Sequence, residues 1–139
     1  MEEQQILEAL QKGAIAAVEA STMPTLPIKA VGRTFVIPDD QKYLELIRIP
    51  NNITNEFWGD GKTYRGIFRL ILHWKLDDQG AYPAITLLQS IVSFFAKGNS
   101  FVKGDISVKI LENPDYLGEI EAIPEMIYPV SIRYQCFRA

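Results

Sequence analysis

The alternation of hydrophobic and polar positions is clearest between residues 64 and 75. From Phe68 onward every second side chain is a large apolar one, and these side chains share one face of the predicted strand: Phe68, Leu70, Leu72 and Trp74. The opposite face mixes cations with aliphatic side chains: Arg65, Ile67, Arg69, Ile71, His73 and Lys75. A period of two predicts a strand with one buried side. Its length predicts a place at the centre of a sheet.

Two segments carry the helical period instead. Residues 2 to about 20 repeat apolar side chains at helical spacing: Ile6, Leu10, Ala14 and Val18. A second stripe holds only small residues (Ala9, Gly13, Ala16 and Ala20). This stripe predicts close packing, against either the chain's own sheet or a neighbouring subunit. Tyr82 to Lys97 forms the other predicted helix. Its apolar surface is so wide that we expect sheet on one side and the first helix or another subunit on the other.

Shorter extended patterns surround these elements, at Leu26 to Ile37, Lys42 to Ile49, Asp105 to Leu111, Leu117 to Ile123 and Met126 to Phe137. Pro129 cannot donate to a ladder, so it predicts a sheet edge or a bulge at the start of the last strand. The order of elements predicts an α+β fold, with a mostly antiparallel sheet and two helices packed on one face. We expect one domain over residues 1–139.

A polar loop, Asn51 to Lys62, connects the extended pattern at 42–49 to the long strand at 64–75. A loop of this length inside a compact domain is usually functional or mobile. It contains Phe57 and Trp58, and two aromatic side chains among polar ones need a partner. They are predicted either to cover the chain's own core or to dock on another molecule.

Composition excludes several classes of protein. The 139 residues are 47% hydrophobic and 22% charged, with a net charge of −3, as in a soluble globular domain and unlike a general nucleic-acid binder. The single cysteine, Cys136, cannot form an internal disulfide. No apolar run approaches the roughly 18–20 residues that span a bilayer. The acidic start, Met1-Glu2-Glu3, is unlike a signal peptide. We expect an intracellular, soluble protein.

Candidate catalytic chemistry is sparse. His73 is the only histidine and has no Cys-x-x-Cys or His-x-x-His pair to join it in a metal site, so we expect a surface or interface histidine. Cys136 falls on the apolar face of the last strand, where a thiol packs as a small hydrophobe. Gly59-Asp60-Gly61-Lys62 lacks the spacing and the following helix of a phosphate loop. The sequence predicts no enzyme, no cofactor and no metal.

The mixed strand face remains to be explained. Single-strand nucleic-acid binders place aromatic side chains between their cations, whereas here the intervening residues are isoleucines. Arginine with aliphatic side chains fits a protein–protein surface better. The predicted interface comprises Phe57, Trp58, Arg65, Ile67, Arg69, Ile71 and Arg133.

Five stretches, in order along nearly the whole chain, carry a family resemblance: Phe57-Trp58-Gly59; Tyr64 to Leu70; Gly80-Ala81-Tyr82; the helix with Ala84, Leu88, Ile91 and Phe95 that ends at Gly98; and Tyr128 to Tyr134. Together they resemble the tail-terminator (tail-completion) proteins of long-tailed bacteriophages. These motifs are structural rather than catalytic.

The resemblance implies an α+β subunit that assembles as a six-fold ring on the head-proximal end of the tail tube. Such a ring stops tube polymerisation and offers a surface to head-completion proteins, while DNA passes through its lumen without specific contact. It further implies a location in the virion after assembly in the host cytoplasm, without membrane contact. The polar stretch Asn51 to Asn55 departs from the family's pattern, and the resemblance implies no binding partner for it.

Two alternatives remain open. One is another neck, head–tail connector or minor tail protein of similar fold. Whether the protein is found at the upper end of tails that lack heads would distinguish this alternative from a tail terminator. The other is a small-ligand-binding α+β domain that uses a cavity between helix and sheet. A concave pocket lined by convergent polar groups would favour that second alternative.

Overall fold

The computed structural model describes residues 3–50, 54–55, 62–76 and 80–138. Its helices are α1 (Glu3–Glu19) and α2 (Tyr82–Val92), and a 3₁₀ turn, Ser93–Phe95, extends α2. Its strands are β1 (Ile28–Lys29), β2 (Tyr43–Pro50), β3 (Thr54–Asn55), β4 (Lys62–Lys75), β5 (Ser100–Lys103), β6 (Ile106–Ile110), β7 (Asp115–Tyr116), β8 (Ile120–Ala122) and β9 (Glu125–Arg138). In this part of the chain no helix has the length and apolar character needed to cross a bilayer.

The strands form a sheet in the order β1-β2-β4-β9-β6-β5, with β3 beside β4 and with β7 and β8 beside β9. The prediction of a central strand is confirmed, because β4 lies between β2 and β9. The α+β class is also confirmed. The prediction of a mostly antiparallel sheet is corrected, because the sheet is mixed: β1 pairs with β2 in parallel. The connection from β1 to β2 is long enough to return the chain to the same end of the sheet, which the sequence pattern did not reveal.

One face of β4 is the heart of the core, as its alternation predicts. Phe68, Leu70 and Leu72 are fully buried and Trp74 nearly so. The matching positions of β9 belong to the same hydrophobic cluster: Tyr128, Val130, Ile132, Tyr134 and Cys136. Cys136 is buried, which agrees with its predicted role as a small apolar side chain.

Both helices contribute their buried residues to this cluster. The predicted stripe of α1 is buried, at Ile6, Leu10, Ala14 and Val18. Its second stripe is split, because Ala9 and Gly13 are buried whereas Ala16 and Ala20 are exposed. A Cβ atom on Gly13 would lie 2.6 Å from the Phe101 ring of β5. The glycine therefore serves close packing within the chain's own sheet, the first of the two alternatives.

Several boundaries differ from the prediction. Only Ile28–Lys29 of the extended pattern at 26–37 forms a strand. A turn at Gly32, with φ of +76°, follows β1, and Val36 beyond it is 89% exposed. β-branched residues favour extended backbone, but a strand also needs a paired neighbour. The predicted helix at 82–97 ends its α-helical part at Val92 and closes with the 3₁₀ turn.

Pro129 does not mark an edge, because β9 is paired on both sides. Its carbonyl accepts a hydrogen bond from the Leu117 N–H at 3.0 Å, on the side of β7 and β8. In a strand the nitrogen and the carbonyl of one residue face the same side. The proline nitrogen therefore faces the break between β7 and β8, where no donor is required. Three short strands, β6, β7 and β8, together cover the second edge of β9.

Alkaline pH is expected to unfold the protein through its buried tyrosines. Burial is the largest cause of the raised pKa of Tyr43 and Tyr134. The folded chain keeps these hydroxyl protons when the unfolded chain loses them, so stability is fully present below the unfolded pKa of about 10 and falls as pH rises above it. Near-ultraviolet tyrosinate absorbance and far-ultraviolet circular dichroism should therefore change together in an alkaline titration.

The exposed Tyr82 supplies a control for this titration. A Tyr82→Phe variant should leave the unfolding midpoint unchanged. Ionisation of all tyrosines before any loss of secondary structure would contradict the expected coupling.

Candidate interaction surface

The strand register brings the odd-numbered side chains of β4 together with those of β2 and β9 on the side of the sheet away from the core. Directly paired residues share a face. The paired rows, written from β2 through β4 to β9, are Ile49–Ile67–Arg133, Ile47–Arg69–Ser131, Glu45–Ile71–Pro129 and Tyr43–His73–Ile127. We call the surface formed by these rows and Arg65 the outer face.

Five of the seven residues predicted as an interface lie on the outer face: Arg65, Ile67, Arg69, Ile71 and Arg133. The pairing of Ile67 with Arg133 places that arginine beside the cations of β4, as the sequence suggests. The other two, Phe57 and Trp58, lie outside the described residues. The structure thus brings these five predicted residues together on one face of the sheet.

The arginine end of the outer face is open to solvent. Arg65 and Arg133 are exposed, while Ile67, Arg69 and Ile71 are half-buried. The Arg69 Nε–H donates to the Ser131 hydroxyl at 3.2 Å, which holds this side chain along the sheet. Arg133 lies 3.8 Å from a Glu112 carboxylate oxygen, but the two side chains are 64% and 65% exposed. Such a solvated pair contributes little to stability.

A depression of about 390 Å³ occupies this end, and Arg65, Ile67, Leu111, Glu112 and Arg133 are among the residues that line it. Its walls combine aliphatic side chains with cations. This composition suits a partner segment that has both apolar side chains and carboxylates.

His73 lies at the other end of the outer face, in a setting that the sequence did not reveal. The residue is only 7% exposed, so in the isolated subunit it is buried and is not the surface or interface histidine that the sequence predicts. One ring nitrogen lies 2.8 Å from a Glu45 oxygen and the other 2.9 Å from a Glu125 oxygen. The imidazole also stacks on the Tyr43 ring, with centroids 4.2 Å apart.

This cluster links three strands, because Glu45 belongs to β2, His73 to β4 and Glu125 to β9. Lys29 of β1 extends it with a 3.5 Å ion pair to Glu45. Burial, followed by the charges of Glu125 and Glu45, raises the pKa of the Tyr43 hydroxyl. The register and length of β2 and β9 determine this arrangement, so no local sequence signal could have found it.

The described residues include no group of three or more histidine, cysteine or acidic side chains arranged to hold a metal ion. Between α2 and β9 there is a groove of about 130 Å³, lined mainly by apolar side chains such as Ile85, Leu88 and Val130. Ligand pockets are usually about 300–1,000 Å³ with several convergent polar groups. This groove therefore does not favour the small-ligand alternative.

Several solved structures share this fold, among them the following two. One superposes with a TM-score of 0.81 at 22% sequence identity, covering 98% of this chain and 96% of the other. The second belongs to a structure titled "Virion of native gene transfer agent (GTA) particle", with a TM-score of 0.60, 15% identity, and coverage of 94% and 96%. At these identities the likeness shows the fold alone. None of the curated proteins matches.

A protein-family model supplies the stronger comparison. The model described as "Phage tail terminator protein" matches residues 5–134, which include most of α1, the central strands and the first ten of the fourteen residues of β9. This match covers far more than half of the chain. It agrees with the resemblance of the motifs around Tyr64 to Leu70 and Tyr128 to Tyr134. The chain belongs to the phage tail terminator family, a family of structural proteins that act in tail assembly.

Proposed function

We propose that this protein closes the head-proximal end of the phage tail tube as a ring of identical subunits, six in number. The ring stops tube polymerisation, and its far side receives a head-completion or connector protein. DNA passes through the lumen without specific contact. The observation that carries the proposal is the match to the tail terminator family over residues 5–134.

The outer face supplies the ring with a contact surface. We place both helices on the opposite side of the sheet, because their buried residues share one core with Phe68, Leu70 and Leu72. Antiparallel pairs that face water usually carry polar side chains on the wet side. Here Ile49 is 41% exposed, and Ile67 and Ile71 are half-buried. Aliphatic side chains next to arginines are the composition expected of a protein interface.

A ring requires each subunit to use two different complementary surfaces, one toward each neighbour. The outer face serves as one of them in this proposal.

The test is to mix the purified protein with tail tubes assembled from the corresponding tube protein. Size-exclusion chromatography with light scattering measures the oligomer, and electron microscopy locates it on the tubes. Rings at one tube end that halt elongation are the expected result. A protein that stays monomeric, ignores tube ends and leaves elongation unchanged would overturn the proposal.

Arg69→Glu is expected to impair assembly while leaving the fold nearly intact. The Arg69 side chain is half-buried on the outer face. Among the hydrogen bonds of the described residues it makes one, to Ser131. Reversing its charge in a contact surface places like charges together, at a cost large enough to weaken association at least about tenfold. Light scattering measures assembly, and thermal unfolding checks the fold.

Arg33→Glu is the matched control, because Arg33 is an exposed arginine outside the outer face. It makes the same change in net charge and should assemble normally. If the Arg69→Glu protein assembles as well as the control, the outer face is ordinary surface.

A further inference from the structure

The segment that connects β6 to β9 has an unusual composition. Residues 112–125 include five carboxylates and no lysine or arginine. Three aliphatic side chains between them are strongly exposed: Leu117 at 48%, Ile120 at 52% and Ile123 at 80%. We call residues 115–123, which contain β7 and β8, the edge segment. Its exposed surface combines apolar side chains with negative charge.

The edge segment lies at a free margin of the sheet. β7 and β8 each pair with β9, and within the described part of the chain their other edges pair with no strand. Exposed strand edges with apolar side chains invite association with another chain. An edge of this kind is usually covered or protected, and in this segment short strands and carboxylates are the only protection.

The chemistry of the edge segment complements that of the outer face. One has aliphatic side chains among carboxylates, and the other has aliphatic side chains among arginines. The contact between Glu112 and Arg133 is an example of this pairing within one chain. Glu112 lies three residues before the edge segment. Complementary charge around apolar contacts fixes register and selects the correct partner.

The chain cannot make this contact with itself along the whole segment. Backbone pairing with β9, at Asp115–Ser131, Tyr116–Val130 and Ile120–Ile127, holds the edge segment in the plane of the sheet. It therefore cannot fold over the outer face of the same subunit. Asp115 pairs with Ser131 and so shares the row of Arg69 on its own subunit, but only a second molecule can bring the rest of the edge segment onto Arg65 and Arg69.

We propose that the edge segment of one subunit docks on the outer face of the next copy of this chain, with its carboxylates against Arg65, Arg69 and Arg133. This inference rests on the proposed ring and names its subunit contact. Each copy has both surfaces, so the contact is heterologous and can repeat around a closed ring.

The test is a charge exchange between two variants. The face variant carries Arg65→Glu and Arg69→Glu, and the edge variant carries Asp115→Lys and Glu121→Lys. Each variant alone opposes like charges at every contact and should associate about tenfold or more weakly than the wild type. An equimolar mixture should regain association, because an acidic edge then meets an arginine face and a basic edge meets an acidic face. Light scattering in solution and electron microscopy at tube ends measure both cases.

Arg33→Glu and Glu19→Lys are single-substitution controls, one for each sign of charge change, since both residues are exposed and lie outside the two surfaces. Thermal unfolding of each variant verifies that it is folded. Normal assembly of either double variant, or a mixture that associates no better than its components, would overturn the proposed contact. If the wild type still stops tube elongation in that case, the proposed function stands and the docking alone is wrong. A wild type that neither associates nor affects tubes overturns both.

Discussion

Replacing Phe68 with alanine is expected to lower the free energy of unfolding by about 3–5 kcal/mol. Phe68 is fully buried at the centre of β4, between Arg48 of β2 and Ile132 of β9 in the register. Its ring lies 6.0 Å from that of Phe95, just beyond α2. Alanine would remove the contact between sheet and helix and leave a cavity that the surrounding strands cannot close. Urea denaturation followed by circular dichroism measures the loss.

Ile67→Ala is the control for this prediction. Ile67 is the preceding residue of the same strand, but its side chain lies half-buried on the outer face. Its removal should cost less than half as much stability in the isolated subunit. Equal losses at the two positions would mean that the faces of β4 are not distinguished as described.

Replacing His73 with leucine is expected to cost about 2–3 kcal/mol, because two partly buried carboxylates lose a hydrogen-bonding partner. Glu45 and Glu125 approach the imidazole from opposite sides, from β2 and from β9. Without the imidazole, the Glu45 and Glu125 carboxylates would be two negative charges on either side of an apolar leucine side chain. Denaturation at neutral pH measures the effect.

A double-mutant comparison isolates this contribution. In a Glu45→Gln, Glu125→Gln background, His73→Leu should cost clearly less, because the charges that the ring faces are already absent. An equal cost in both backgrounds would assign the effect to lost packing on Tyr43 rather than to the carboxylates.

The sequence was most informative where the pattern was local. The period of two between Phe68 and Trp74 identified the core face, and the period in α1 identified its buried stripe. The same alternation in the last strand identified the buried positions from Tyr128 to Cys136. Periodicity works here because one side of each element meets the core and the other does not.

The sequence was least informative where the result depends on which strand lies next to which. Val36 and Ile37 have strand-forming side chains but no paired neighbour. Ser100–Lys103 has a weak pattern, yet it forms β5 because β6 pairs with it. His73 is buried because two carboxylates more than 25 residues away in either direction meet it. Register decides all three, and no single stretch of sequence encodes it.

The five described members of the predicted interface could be grouped because four of them alternate along one strand. Arg133 joined them only through the assumption that the last strand faces the same way, and its pairing with Ile67 supports that assumption. The edge segment could not be related to them from sequence, because its position follows from the break between β7 and β8 beside Pro129.

The dependence of the sheet on β9 has a consequence for how the protein is made. Residues paired between β4 and β9 are far apart along the chain, from Lys75 with Glu125 to Tyr64 with Cys136. During synthesis β4 can therefore pair only with β2 at first. The strands β6, β7 and β8 have no β9 to pair with until β9 leaves the ribosome. Such long-range pairing is slow to form. The outer face, which spans β2, β4 and β9, cannot form until β9 has left the ribosome, so a subunit becomes competent to associate only after that point.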